Sequence, residues 1–350
     1  MGISLHHVRG RVALALLSAG LLVGSAGVGP AAAAGARALP SGCTWTIHAL
    51  PVPTGWIDVR IIRGDGSFYV GTGTDPTGRS HTLLWHNGGV TALKAPGENE
   101  TSGRDVNRHG VALGVADFND LHPVLWIKGH AVRLAAPAGS TSTNAFGIND
   151  AGIVVGTATV NGATHGIVWS VRTPWWYRDL GVGDGALSLS DVNDAGTVVG
   201  TTTDDADWPT SFRALRGTVT GGLSSMPGVD PADDSLAFQT NGRYVVGSGR
   251  LPGASERQSL VWHGDVATAL PSLMSGSGVN SSGLVAGFTN AAPQSAVVWH
   301  DGTVEFLPDL NPDAVTGNSS AVDVMDNGTV VGSSLTADGG ESLPVSWNCV

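Results

Sequence analysis

The chain has 350 residues, a formal net charge of −11, only 13% charged residues and 51 glycines. An acidic chain with two lysines, Lys94 and Lys128, lacks the basic surface that attracts nucleic acid or anionic lipid, so neither is an expected partner. Many glycines, valines and threonines with few charges exclude a fold of long helices and favour all-β structure with tight turns.

In chain order the first element is a leader. Residues 1–11 carry Arg9 and Arg11, residues 12–29 are apolar, and small residues follow with Ala-x-Ala choices at Ala32–Ala34 or Ala36–Ala38. That order predicts a secretory signal peptide over residues 1–38 and a mature, secreted domain over 39–350. A retained membrane anchor is the rival, but Ser and Gly interrupt a run that barely reaches spanning length. The mature chain has no span of its own. Loss of Arg9, Arg11 and Arg37 with no acid moves the net charge from −11 to −14.

The remainder is a repeat. A polar turn ends in glycine seven times, at Gly66, Gly110, Gly152, Gly196, Gly242, Gly283 and Gly328. A second glycine closes an apolar run four or five residues later, as in IVVG and TVVG. A tryptophan follows at Trp85, Trp126, Trp169, Trp262, Trp299 and Trp347, with Leu215 in its place in the fourth copy. Each copy reads as four short strands: one into the turn, the apolar run, a third of the type LLW or IVW, and a shorter fourth ending near Leu and Pro. Apolar runs on consecutive strands mean sheets buried on both faces. Four strands at this period predict a blade, and seven copies predict a seven-bladed β-propeller. A β-solenoid is the rival, with coils normally much shorter.

The two ends fit together. The seventh copy stops at SWNCV after its third strand, while CTWTIHALPVP at the start of the mature chain reads as a fourth strand with no blade before it. The two cysteines, Cys43 and Cys349, lie at those places, and in an exported protein they predict a disulfide that replaces the missing hairpin turn. Lipidation of Cys43 is a weaker alternative, with Pro40 close before it and the apolar segment too far upstream.

The segments HTLLW, HPVLW and HGIVW, with INDAGIVVG and VNDAGTVVG before them, resemble the extracellular HAF-repeat family over nearly the whole mature chain. The histidine position departs from the pattern at Ser211, Gln258, Ser295 and Leu343. The resemblance implies export and a repeat architecture; it implies no activity.

Candidate site residues are few. His81, His122 and His165 occupy one position on successive blades, but sheets stacked ~10 Å apart cannot bring equivalent rings within ~2 Å of one ion. A structural role is expected, each ring bonded to a nearby turn. The turns 191–196 and 323–328 match a calcium loop only in part, with Ala195 and Met325 at ligand positions, so no metal is expected. The cluster Trp175, Trp176 and Tyr177 suits a sugar or peptide, or packing on the next blade. Polar loops carry Asp117, Asn119, Asp120, Asp204, Asp205, Asp207 and Trp208 as a candidate rim, or as solubilising charge. No catalytic residue or cofactor motif is present. The reading is a secreted monomeric scaffold that binds an extracellular glycan or protein. A polysaccharide lyase or hydrolase on the same ring and a purely structural surface protein are the alternatives.

Overall fold

A polar segment between two apolar runs folds back on itself because its last glycine takes a left-handed backbone that other residues resist. The seven turn glycines all do so, with φ from 56° at Gly242 to 87° at Gly283. In the computed structural model these turns join the first two strands of seven four-stranded antiparallel sheets. Six blades comprise residues 57–93, 101–133, 140–179, 187–225, 236–269 and 274–306; the seventh combines 319–349 with 45–49. The protein is a seven-bladed β-propeller. The structure describes residues 43–350 except 98, 117–121, 183–184, 205–210, 232–233, 272–273, 291–292, 312–318 and 337–339. All belong to the unit Ala34–Val350, and the signal peptide expected over 1–38 lies outside them. Among the described residues no helix is long and apolar enough to cross a membrane.

Every innermost strand carries a β-bulge, between Ile61 and Arg63 in the first blade and at the equivalent place in the other six. The bulge kinks the strand toward the axis and increases its twist. It also explains the second glycine of the repeat. At Gly200 the Ser188 carbonyl sits where a Cβ would be, so a side chain there would force the two strands apart.

The core is partitioned by the ring. Seven hydrophobic clusters each span one pair of neighbouring blades; Val155 and Val168 of the third blade pack on Leu189, Val192 and Val198 of the fourth. The repeat tryptophans set the spacing. Trp85, Trp126, Trp169, Trp262 and Trp347 are at most 1% exposed. Their indole N–H groups donate to the carbonyls of Pro51, Lys94, Ala135, Pro227 and Pro308, at 2.7 to 3.0 Å. Each of those carbonyls follows the outermost strand of the preceding blade, so one side chain fills the inter-blade gap and hydrogen-bonds its far wall. Leu215, in the fourth blade, supplies the volume without the bond.

The ring closes as the sequence predicts. The strand Trp45–Ala49 pairs antiparallel with Ser342–Cys349, from Trp45 opposite Cys349 to Ala49 opposite Val345. Thr44 and Val350 exchange backbone hydrogen bonds of 3.2 and 3.1 Å. Cys43 and Cys349 are disulfide-bonded across a separation of 306 residues, with their Cα atoms 5.4 Å apart. The bond stands where a hairpin turn would join these strands. In the chain-entropy picture such a loop is worth up to ~5 kcal/mol. Cys43→Ser or Cys349→Ser should therefore lower Tm by several degrees, and deletion of residues 43–50 should lower it further. An unchanged Tm for either cysteine variant would remove the clasp from the account of stability.

Candidate functional site

The inner strands converge on the axis, and the residue just after each bulge faces its neighbours. Around the ring these are Arg63, Asp105, Gly147, Asp191, Gln239, Gly278 and Asp323. The three aspartates, each at most 8% exposed, staple one blade to the next. Asp105 accepts the N–H of Val106 at 2.8 Å and that of Ile148, on the next blade, at 2.7 Å. Asp191 accepts from Val192 and Thr240, both at 2.8 Å. Asp323 accepts from Val324 at 2.9 Å and from Gly64 of the first blade at 3.0 Å. Gln239 extends the pattern by accepting the Val279 N–H and donating to Asp323, both at 2.9 Å. The glycines are spacers: a Cβ on Gly147 would meet Asp191 Oδ1 at 2.7 Å, and one on Gly278 would meet Asp323 Oδ1 at 2.6 Å.

Arg63 stands among these acids. Burial alone would lower its pKa, but Asp323, Asp191 and Asp105 outweigh it and hold the guanidinium charged. Burial pushes all three carboxyls up, Asp191 to about 6 and Asp105 well above the usual range with Asp191 as its like-charged neighbour. One cation thus sits with three desolvated acids, and the excess negative charge is reduced by retained protons.

A second tier follows along the axis. Asn107, Asn149 and Asn193 each donate through Nδ2 to a carbonyl of the next blade, on Asn149, Asn193 and Gly242, at 3.1, 2.8 and 2.9 Å. Beyond them the turns form an acidic mouth. The N–H of Arg108 donates to Asp150 at 3.0 Å, the N–H of Asp150 donates to Asp194 at 2.8 Å, and Arg108 Nε forms an ion pair with Asp150 at 2.8 Å. Asp65 lies against Asp150; burial first, then the charges of Asp150 and Asp194, push its carboxyl up to about 8, so at neutral pH it holds its proton and shares a hydrogen bond with Asp150.

The sequence-expected site residues fall in separate places. Trp175 and Trp176 are 75% and 56% exposed, in the loop between the third and outermost strands of the third blade. Val171 N–H donates to Gly152 O at 2.8 Å and Ala135 N–H to Pro174 O at 2.9 Å, which seats the loop at the turn end of the blade and ties it to the blade before. Tyr177 is half-buried against the core between the second and third blades. Asp204 lies at the opposite end of its blade, beside Ser211, whose N–H it accepts at 3.0 Å. The tryptophan pair and Asp204 therefore do not form one site. Asp117, Asn119, Asp120, Asp205, Asp207 and Trp208 lie outside the described residues.

The three histidines remain apart. His81 Nε2 lies 3.0 Å from Asp75 Oδ2 in its own loop, His165 Nδ1 lies 2.9 Å from Asp179 Oδ2 on the neighbouring strand, and His122 is buried. Among the described residues no three His, Cys, Asp or Glu side chains are placed to hold a metal ion. A groove of about 620 Å³ flanks the first blade, with Trp56, Asp75, His81, Lys94 and Thr101 on its walls. The sequence hinted at the axial ring only through the recurrent Asp-Val-Asn, which reads locally as a self-bonded turn.

No protein-family model matches the chain, and no curated protein matches it. Solved structures resemble it in fold. A puromycin-hydrolysing peptidase of Mycobacterium tuberculosis overlays with a TM-score of 0.57, covering 82% of this chain and 52% of that one at 13% identity. A prolyl endopeptidase overlays at 0.56, covering 83% and 50% at 10% identity. TolB from Acinetobacter baumannii gives 0.46, covering 84% and 64% at 10% identity, an overlay too loose to carry weight. The chain spans about half the length of the two peptidases. At these identities the likeness establishes the propeller alone.

The raised acids set the sign of the pH response. Their folded pKa values exceed the ordinary ~4, so their contribution is complete below that pH and is lost as pH rises through about 6 for Asp191 and about 8 for Asp65. Tm should fall between about pH 5 and about pH 8.5. Asp65→Asn should flatten the upper part of that fall. A wild-type Tm that is constant or rising across the window would show that these carboxyls carry no excess protons.

Proposed function

We propose that the protein is a secreted propeller of the extracellular HAF-repeat type that acts as a binding scaffold, with an extracellular polysaccharide as its ligand at the Trp175–Trp176 rim. The observation that carries this reading is the exposure of that pair. Among the described residues they are the only exposed tryptophans, whereas the repeat tryptophans are buried. The hairpin that presents them is held from both sides by backbone hydrogen bonds to Gly152 and Ala135. Two flat rings with polar N–H edges, fixed at an edge open to solvent, suit the apolar faces of pyranose rings. The Cys43–Cys349 disulfide is consistent with an oxidising compartment outside the cytoplasm.

A glycosidase reading finds less support. Asp65 and Asp150 share a hydrogen bond, closer than the ~5 Å or more that separates the carboxyls of retaining and inverting enzymes. The buried ring acids Asp105, Asp191 and Asp323 are committed to backbone N–H groups.

The test titrates the mature chain with soluble cell-wall and storage polysaccharides, following tryptophan fluorescence and Tm. One polysaccharide should raise Tm and shift the emission, since a ligand at a hundred times its Kd adds ~2.7 kcal/mol. The double variant Trp175→Ala/Trp176→Ala should keep the wild-type Tm and lose the response. Equal binding by that variant would move the site elsewhere, and a flat titration across the panel would remove the glycan reading.

A further inference from the structure

The axis holds a cation that its surroundings do not neutralise. Arg104 is the bulged residue of the second blade's inner strand. It lines a cavity of about 260 Å³ with Ile62, Arg63, Phe146, Ser188 and Ser190, contributed by four successive blades. Its Nε is buried and donates to no protein acceptor. The charge that acts on it is Arg60, on the adjacent inner strand, and burial together with that like charge lowers its pKa. Arg63 is different, since three aspartates surround it. Those aspartates also have their oxygens engaged by backbone N–H groups of the blades.

A partly buried guanidinium whose Nε donates to no acceptor is unfavourable unless an anion joins it. The fork of arginine N–H groups is also the geometry that grips a carboxylate or phosphate through paired, charge-assisted hydrogen bonds. We propose that this cavity is an anion site in which Arg104 holds an oxyanion group, a carboxylate or a phosphate, through the N–H edge that no protein acceptor meets. The hydroxyls of Ser188 and Ser190 complete the cradle, and Phe146 forms an apolar wall for whatever the group is attached to. The volume suits such a group with a short tail and is too small for a folded partner. The far mouth carries Asp150 and Asp194, whose carboxylates repel anions. The site is independent of the tryptophan rim and does not depend on the polysaccharide reading.

The experiment measures Tm of the mature chain at constant ionic strength in sodium chloride, then with inorganic phosphate, with acetate, and with a tripeptide whose C-terminus is free or amidated. Phosphate or the free-acid tripeptide should raise Tm by several degrees above the chloride control. Arg104→Met should raise Tm in chloride, because the unneutralised charge is gone, and should erase the response to anions. A purely structural arginine would lower Tm on removal and leave the anion response in place. Ser190→Ala, a small change on the cavity wall, should fold normally and require about tenfold more phosphate for the same shift, so it decides the matter if Arg104→Met does not fold. A response to phosphate or acetate without the tripeptide assigns a free small anion. A response to the free acid but not the amide assigns a chain end. No anion response above chloride, or a wild-type response from whichever of the two variants folds, overturns the proposal.

Discussion

Seven strands that meet around one axis cannot pair with one another as a sheet, and the polar groups of their inner edges must be satisfied some other way. The rest of the structure depends on how that is done. An unpaired buried N–H costs ~1–3 kcal/mol, and a ring repeats the problem at every blade. Here side-chain carboxylates and amides cross each gap, from Asp105 to Ile148, Asp191 to Thr240, Gln239 to Val279 and Asp323 to Gly64. The β-bulge delivers them, because the extra residue re-aims the following side chain toward the neighbouring blade. Gly147 and Gly278 are the complement of that solution, sitting where a neighbour's aspartate needs the space.

Solving the edge problem with acids creates a charge problem on the axis. Desolvated carboxylates close together are costly, and the structure answers with one arginine, Arg63, and with protons. The same economy appears at the turn end, where Asp65 holds a proton against Asp150 and Asp194. The axis therefore carries acids neutralised by Arg63 and by protonation, and a further cation, Arg104, whose Nε meets no protein acceptor. Stability and any ligand chemistry on the axis are linked through this arrangement, since the groups that hold the ring also set its local field.

At the periphery the forces are simpler. Hydrophobic clusters alternate with blades, and the repeat tryptophans both fill the gaps and bond across them. That division makes the outer surface free to vary without loss of the ring. It is why Trp175 and Trp176 can be exposed on a hairpin of the third blade while Trp169, six residues earlier, is fully buried.

The period, the seven turn glycines, the tryptophan spacing and the half-blade at each end were legible in the chain because each is a local signal repeated many times. The pairing of Trp45–Ala49 with Ser342–Cys349 followed from the strand count, and the Cys43–Cys349 bond from the position of the only two cysteines. The Asp-Val-Asn motif was visible too, but its role was not: Asp191 does bond the next residue's N–H, as a turn residue would, and its second oxygen reaches Thr240, 49 residues away. The opposite placement of Trp176 and Asp204, the proton held by Asp65, and the unpartnered Arg104 Nε in a cavity shared by four blades depend on which blade lies next to which. A single chain determines the number and pattern of its strands through local sterics and hydrophobic period. Only the closed ring decides which charges meet, because residues about forty apart in sequence become neighbours when the blades pack.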